Sequence, residues 1–423
     1  MRAEIVSVGD ELLKGQRVNT NAAFMAAALA GIGVPVGRIV ACSDGEEEIA
    51  AVFTESLERA DMVLVTGGLG PTRDDRTKKV ARQLLKRGLE LNEEVFATLA
   101  ARAGQRGVEM TESLRDQAMV IEGSHVMANT KGTAAGMILQ CGEQFQNHYL
   151  VLMPGVPSEM KAMMELTVLP FFAALSDTVI RHTPIKTVGI GESTLAEMIA
   201  DSEDALPAGT TLAYLPHAAG VTLMVSTLGR EREAVERDNG KVVDAIVQRA
   251  GQFIYATTEV SLEATIGAML SAEGMSVAVA ESCTGGLVAS RLTDVPGSSS
   301  YFLQGFVVYS NQAKERSLGV PGEIIDRFGA VSEEVARAMA IGCLEKSGAD
   351  IALATTGIAG PSGGSPEKPV GTLCLAIAKK TSGVLLSKTL LMHGDREVNK
   401  LRFSEAVLRE LWECLRDTSA TEQ

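Results

Sequence analysis

Two α/β domains with mostly parallel sheets, joined by a small α+β domain, are what the sequence predicts. Three observations carry that expectation. Short apolar, β-branched runs alternate with helical patterns over residues 1–170, the texture changes over 171–255, and the alternation resumes over 256–423. Alternating strands and helices imply a sheet covered by helices on both faces. In such sheets ligands bind at the carboxyl ends of strands, and here those ends run into glycine-rich turns.

Along the first segment, EIVSVG (Glu4 to Gly9) reads as a strand, and TNAAFMAAALAGIG as a helix ending near Gly31. DMVLVTGG (Asp61 to Gly68) is a strand entering a glycine turn, and YLVLMPGVPSEM is a strand ending in a Gly/Pro turn. The middle segment, with TPIKTVGIGESTLAEMIAD and GVTLMVSTLG, has few glycine turns after its strands and reads as the small α+β unit. In SLEATIGAMLSAEG, Leu262, Ile266, Met269 and Leu270 keep a helical period, with Ser261 as N-cap and Gly274 past the C-terminal end. MSVAVA is then a buried strand, and FVVYSNQAK, IALATTGIAGPSGG and VLLSKTLLMHGDRE are three further strand-to-turn transitions.

Of the 423 residues, 46% are hydrophobic and 22% charged, enough to bury real cores. No apolar run approaches the ~18 residues of a membrane span. The start, MRAEIVSVGDELL, reads as a core strand and lacks the pattern of a secretory signal. Six scattered cysteines without a CxxC pair imply reduced thiols in the cytoplasm and no structural zinc. A net charge of −14 repels nucleic acid and anionic membranes, so the expected partners are small molecules.

In AVAESCTGGLVAS, Ser282, Cys283 and Thr284 are three possible nucleophiles beside Gly285 and Gly286. Amides at a helix start stabilise either a phosphate or the oxyanion of an acyl transfer, and a plain tight turn is equally compatible. A hydroxyl nucleophile needs a base, yet His393 is the lone histidine after Gly251, and GxSxG is absent. YSNQAKE offers Lys314 instead, whose ammonium loses its proton more readily when buried, with the Tyr309 phenol able to relay the proton. A thiol at a helix start has its thiolate favoured, which keeps Cys283 open.

AESCTGG, GSSSYFLQGFVVYSNQAK, GAVSEEVA, TGIAGPSGGSPEKPVGT and GDRE occur in that order and closely resemble the C-terminal domain of the CinA proteins, over about Ser261 to Leu415. The resemblance implies a nicotinamide mononucleotide amidohydrolase that needs no cofactor. It implies Ser282 as nucleophile, with Tyr309 and Lys314 as the activating pair. Cys283, Thr284, Gly285 and Gly286 would form the oxyanion turn, Thr356 and Gly357 the pocket wall, and Arg396 the holder of an anionic group.

Near the N-terminus, VTGGLGPTRDDRTKK combines glycines that expose amides with paired carboxylates able to hold a hard divalent ion. Asp74 and Asp75 read equally as helix caps, and Asp10 and Glu11 as a solvated strand end. GDELLKGQRVNTN, GGLGPTRDDRT, NTKGTAAG and LMPGVPSEM resemble the molybdopterin-binding fold in its CinA branch, over about Met1 to Pro170. That resemblance implies hydrolysis of ADP-ribose with a divalent metal (Mg, Mn or Co), or pterin or nucleotide binding without hydrolysis. Asp10, Glu11, Asp74 and Asp75 would serve the metal, and Asn19, Gly67, Gly68, Gly70, Thr72 and Gly155 would line the substrate site. The middle segment resembles the KH-like module of these proteins, with an acidic residue after Gly189-Ile190-Gly191 where a nucleic-acid clamp is usually basic. The family also implies a homodimer.

Overall fold

The computed structural model describes every residue except 71–74, 106–111, 176–177, 218–219 and 422–423. It divides into two compact units, Met1–Arg181 with Thr227–Glu236, and His182–Ser226 with Arg237–Gln423. Among the described residues no helix is long and apolar enough to cross a membrane.

The first unit is built on a six-stranded sheet. Its order is Val36–Cys42, Ala3–Val8, Met62–Thr66, Tyr149–Met153, Gly136–Gln140 and His125–Met127. The first four strands are parallel and the last two pairings antiparallel. The strand Ala3–Val8 is buried throughout. Ala3 and Ile5 pack with Met25 and Leu29 on one face, and Val6 and Val8 with Phe53 and Val80 on the other. Burial on both faces matches the apolar residues of the run, and the buried Glu4 among them is paired with Arg59 at 3.0 Å.

The second unit holds a five-stranded sheet in the order Phe302–Val307, Val277–Glu281, Ile351–Gly357, Thr372–Lys379 and Gly383–Leu391. Only the first three strands are parallel. The expectation of mostly parallel sheets therefore holds for the half of this sheet that carries the glycine turns. The last two strands are separated by a three-residue turn, too short for the crossover that a parallel pair requires. Alternation along Val277–Glu281 sorts the core. Val277 and Val279 lie with Leu292, Phe403 and Trp412, while Ala278 and Ala280 lie with Met339 and Cys343 of the helix Glu333–Ser347.

The small module is a four-stranded sheet ordered Thr210–His217, Gly220–Gly229, Val179–Thr187 and Ile254–Ala256, with helices Glu192–Asp204 and Arg232–Ala250. Its GxG loop is packed, since a Cβ on Gly189 would stand 2.3 Å from Arg409 Nε.

Candidate active site

The sheet of the second unit delivers Ser282 to the end of its second strand. The buried strand stops at Glu281, and the chain is pinned on both sides. Val308 N donates to Glu281 O at 2.8 Å, and Ser282 N donates to Thr355 O at 2.9 Å. The turn then passes through Gly285 (φ 64°) and Gly286 (φ 95°), a left-handed pair that residues with a Cβ adopt only at a cost. The helix Leu287–Thr293 follows.

Glu281 closes this turn from inside. Its side chain is 1% exposed and accepts from Gly286 N at 2.9 Å, Val288 N at 3.1 Å and Ala289 N at 2.8 Å. A buried carboxylate thus occupies the helix start, where positive dipole and unpaired amides would otherwise invite an external anion. A phosphate at the Gly286 end would meet Glu281, which weighs against the phosphate-cradle reading of this turn.

Lys314 comes from the helix Asn311–Leu318, whose start is capped by Ser310 Oγ accepting from Ala313 N. The lysine is only 1% exposed, and its Nζ contacts Ser282 Oγ at 3.0 Å, Val308 O at 3.0 Å and Tyr309 O at 3.4 Å. Burial pushes its pKa below the ordinary lysine value. Desolvation thus favours the neutral amine, the form with a lone pair to accept a proton.

Three sequence-based assignments change. The Tyr309 phenol does not stand between serine and lysine. It is 62% exposed, and its hydroxyl accepts from Arg396 Nη2 at 3.1 Å, so only its backbone carbonyl touches Lys314. Tyr309 follows the strand end at Val307, and its side chain faces outward there, whereas Lys314 reaches Ser282 directly. Cys283 is not favoured as thiolate. It is buried, and burial pushes its thiol up to about 12. Thr284 is buried with its hydroxyl 2.8 Å from Thr355 Oγ1. Ser282, 8% exposed, remains as the hydroxyl paired with a base.

Thr356 spends its hydroxyl on Ala330 O at 2.7 Å, tying the 329–332 turn to the strand end and leaving the pocket-wall role to its backbone. Gly357 packs against Cys283, whose Sγ lies 3.2 Å from where a Cβ would stand. Arg396 opens the helix Arg396–Thr421 and donates from Nη1 to Gly360 O at 2.8 Å. Two residues of this neighbourhood escaped sequence reasoning. Glu281 was present in AESCTGG without a role, and Lys400 lies one helical turn beyond Arg396, on the same face.

In the first unit a cleft of about 620 Å³ is lined by Gly67, Gly68, Gly70, Gly155, Glu11, Arg17, Asp44, Asp75 and Glu159, among others. Gly67 is required by close approach, because a Cβ there would stand 2.2 Å from Val8 O. Asp10 and Glu11 open the short helix Asp10–Leu13 rather than ending a strand. Asp10 turns to Lys14 (2.8 Å) and exchanges backbone contacts with Asp44, which hold its carboxyl below the usual range. Asn19 is committed as an N-cap. It accepts from Ala22 N at 3.1 Å and donates to Ser7 Oγ at 3.0 Å, and it lines a small pocket with Asn21, Thr66 and Gly155.

The neighbouring Asn21 was missed. It donates to Gly155 O and Thr66 Oγ1, and its Oδ1 is buried without a hydrogen-bond partner. Thr72 and Asp74 lie outside the described residues. Among the described residues no three His, Cys, Asp or Glu side chains gather as a metal shell, and the fourth expected ligand, Asp74, lies outside them.

Fold and site together define a class: an α/β protein with two sheet domains and a small four-stranded module, carrying a serine–lysine pair at a strand end. Comparison with known proteins places it further. Residues 4–174 match a probable molybdopterin binding domain, 182–256 the KH domain of damage-inducible protein CinA, and 259–415 the CinA C-terminal domain. A CinA-like protein of Chlorobium phaeobacteroides is 63% identical over 99% of both chains, and one of Chlorobium chlorochromatii is 61% identical over 100% of both. This chain belongs to the CinA family. A solved competence/damage inducible protein from Agrobacterium tumefaciens is 39% identical, covering 38% of this chain and 99% of its own, with TM-score 0.35.

Proposed function

We propose that the C-terminal domain hydrolyses the carboxamide of nicotinamide mononucleotide to nicotinate mononucleotide and ammonia. The observation that carries this reading is the buried Lys314 amine in contact with Ser282 Oγ. The neutral amine takes the hydroxyl proton as Ser282 Oγ attacks the carboxamide carbon. The oxyanion develops toward the amides of the Cys283–Gly285 turn. Collapse returns the proton from Lys314 to the leaving nitrogen, which departs as ammonia. Water, deprotonated by the same amine, then cleaves the acyl-serine to the acid and restores Ser282. The test is ammonia release from the mononucleotide by the full chain. Ser282→Ala should abolish it and Cys283→Ala should retain most of it, and the opposite ranking overturns the assignment.

For the N-terminal domain the proposed reaction is divalent-metal-dependent hydrolysis of ADP-ribose to AMP and ribose 5-phosphate. Its support is the cleft lined by Gly67, Gly68, Gly70 and Gly155 together with the carboxylates of Glu11, Asp44, Asp75 and Glu159. Both substrates are breakdown products of NAD, which gives the fusion of the two domains a rationale in a cytoplasmic salvage enzyme. AMP formation with Mg²⁺, Mn²⁺ or Co²⁺, suppressed by EDTA, supports this reading. Binding of a pterin or nucleotide with no AMP under any of these metals assigns the domain as a non-catalytic binder.

A further inference from the structure

A pyridine mononucleotide carries a phosphate that must be seated somewhere near Ser282, and the structure narrows where. The usual seat, the amides at a helix start, is filled by the Glu281 carboxylate through three hydrogen bonds. Lys314 is enclosed by Ser282 and two carbonyls. Arg396 is partly committed, donating to Gly360 O and the Tyr309 hydroxyl.

The next cation on the same helix face is Lys400. Its Nζ lies 3.5 Å from where a Cβ on Gly285 would stand, and Lys400 is the sole residue within 4 Å of that point beyond Gly285's chain neighbours. Among the described residues Lys400 has no carboxylate at ion-pair distance. The nearby Asp395 is turned back to cap the helix, accepting from Val398 N at 2.9 Å. An unneutralised ammonium therefore borders the open side of the serine turn, one helical turn from a guanidinium that keeps N–H groups to spare.

We propose that Lys400 and Arg396 together form the seat for the substrate's phosphate, and that Lys400 makes the site select a phosphorylated amide over its nucleoside. This inference rests on the amidase reading above. A point charge and a planar fork are complementary ligands for one phosphate, the fork fixing orientation and the ammonium adding charge.

The experiment compares wild type, Lys400→Met and Lys400→Arg as full chains, using nicotinamide mononucleotide and nicotinamide riboside, which share the carboxamide and differ by the phosphate. Lys400→Met should raise KM for the mononucleotide about tenfold or more, as loss of one charge-assisted hydrogen bond requires. It should leave kcat within about threefold and the riboside's kcat/KM unchanged, and Lys400→Arg should recover most of the loss. An unchanged KM overturns the proposal. So does an equal loss with both substrates, which would place Lys400 at the reacting carbonyl.

Inorganic phosphate binding, followed by calorimetry on the same variants, separates this idea from the amidase reading. If wild type releases no ammonia from the mononucleotide, the amidase reading fails. Phosphate binding weakened about tenfold in Lys400→Met still supports the seat, and equal binding in both proteins refutes it.

Discussion

Replacing Glu281 with glutamine tests whether an internal carboxylate builds the catalytic turn. The side chain holds three helix-start amides, two on Oε2 and one on Oε1. Glutamine retains one carbonyl oxygen and can keep at most the pair on that oxygen, while its NH₂ group faces the remaining N–H donor to donor. The loss is one charge-assisted bond, about 1.5–3 kcal/mol, plus the helix-start charge, about 0.3–1 kcal/mol. Together that is roughly 2–4 kcal/mol. For a domain of this size each kcal/mol moves Tm by about 2–4 °C, so the transition of the unit carrying Glu281 should fall by roughly 5–15 °C.

The same change releases Ala289 N, loosens the helix start behind the turn and lets the Cys283–Gly285 amides drift from the oxyanion. Loss of a single such donor typically costs about 10²–10³ in kcat. Differential scanning calorimetry and steady-state ammonia release measure the two effects on one preparation, with circular dichroism at assay temperature showing a folded variant. A variant that melts with wild type refutes the energetic argument. One that melts lower yet keeps kcat within threefold refutes the link from Glu281 to the oxyanion turn.

Four other outcomes are expected. Burial lowers the Lys314 pKa, so kcat/KM for the mononucleotide should rise with pH and level off below the ordinary lysine value; Lys314→Arg, which stays charged, should be inactive throughout. For stability the sign is the same. The folded state binds fewer protons than the unfolded one between the two Lys314 pKa values, so this residue's contribution rises with pH across that window, and Lys314→Met should flatten it in urea titrations. Iodoacetamide at neutral pH should leave Cys283 unmodified by mass spectrometry and ammonia release intact, because its thiol is buried and pushed up to about 12. Tyr309→Phe should raise KM a few-fold with kcat nearly unchanged; a loss of 100-fold in kcat would restore the phenol to the proton path.

Much of this was legible in the chain because strand ends and glycine turns are local features. The run Ala3–Val8 and the stretch MSVAVA are mainly apolar because each is covered on both faces, and that pattern survives in one dimension. Ser261 and Gly274 bracket their helix as local capping chemistry dictates. One histidine after Gly251 made Lys314 a candidate base, and the pairing with Ser282 was what the family resemblance of AESCTGG and YSNQAK implied.

What the chain could not disclose is direction. Tyr309 and Lys314 are five residues apart, yet one side chain points to solvent and the other to Ser282, because a strand end and a helix separate them. Asn19 and Asn21 sit two apart in one motif, and only the helix start decides that the first is a cap. Cys283 and Ser282 are neighbours with opposite fates, set by packing against Gly357 on one side and contact with a buried amine on the other. The sequence by itself determined which elements exist and which residue types gather at the strand ends. Tertiary structure alone decided that Glu281 occupies the helix start, that burial deprives Cys283 of its thiolate, and that Lys400 reaches the serine turn. Desolvation and through-space charge depend on what surrounds a group, and for Cys283 and the serine turn those surroundings include Gly357 and Lys400, which the chain order keeps far apart.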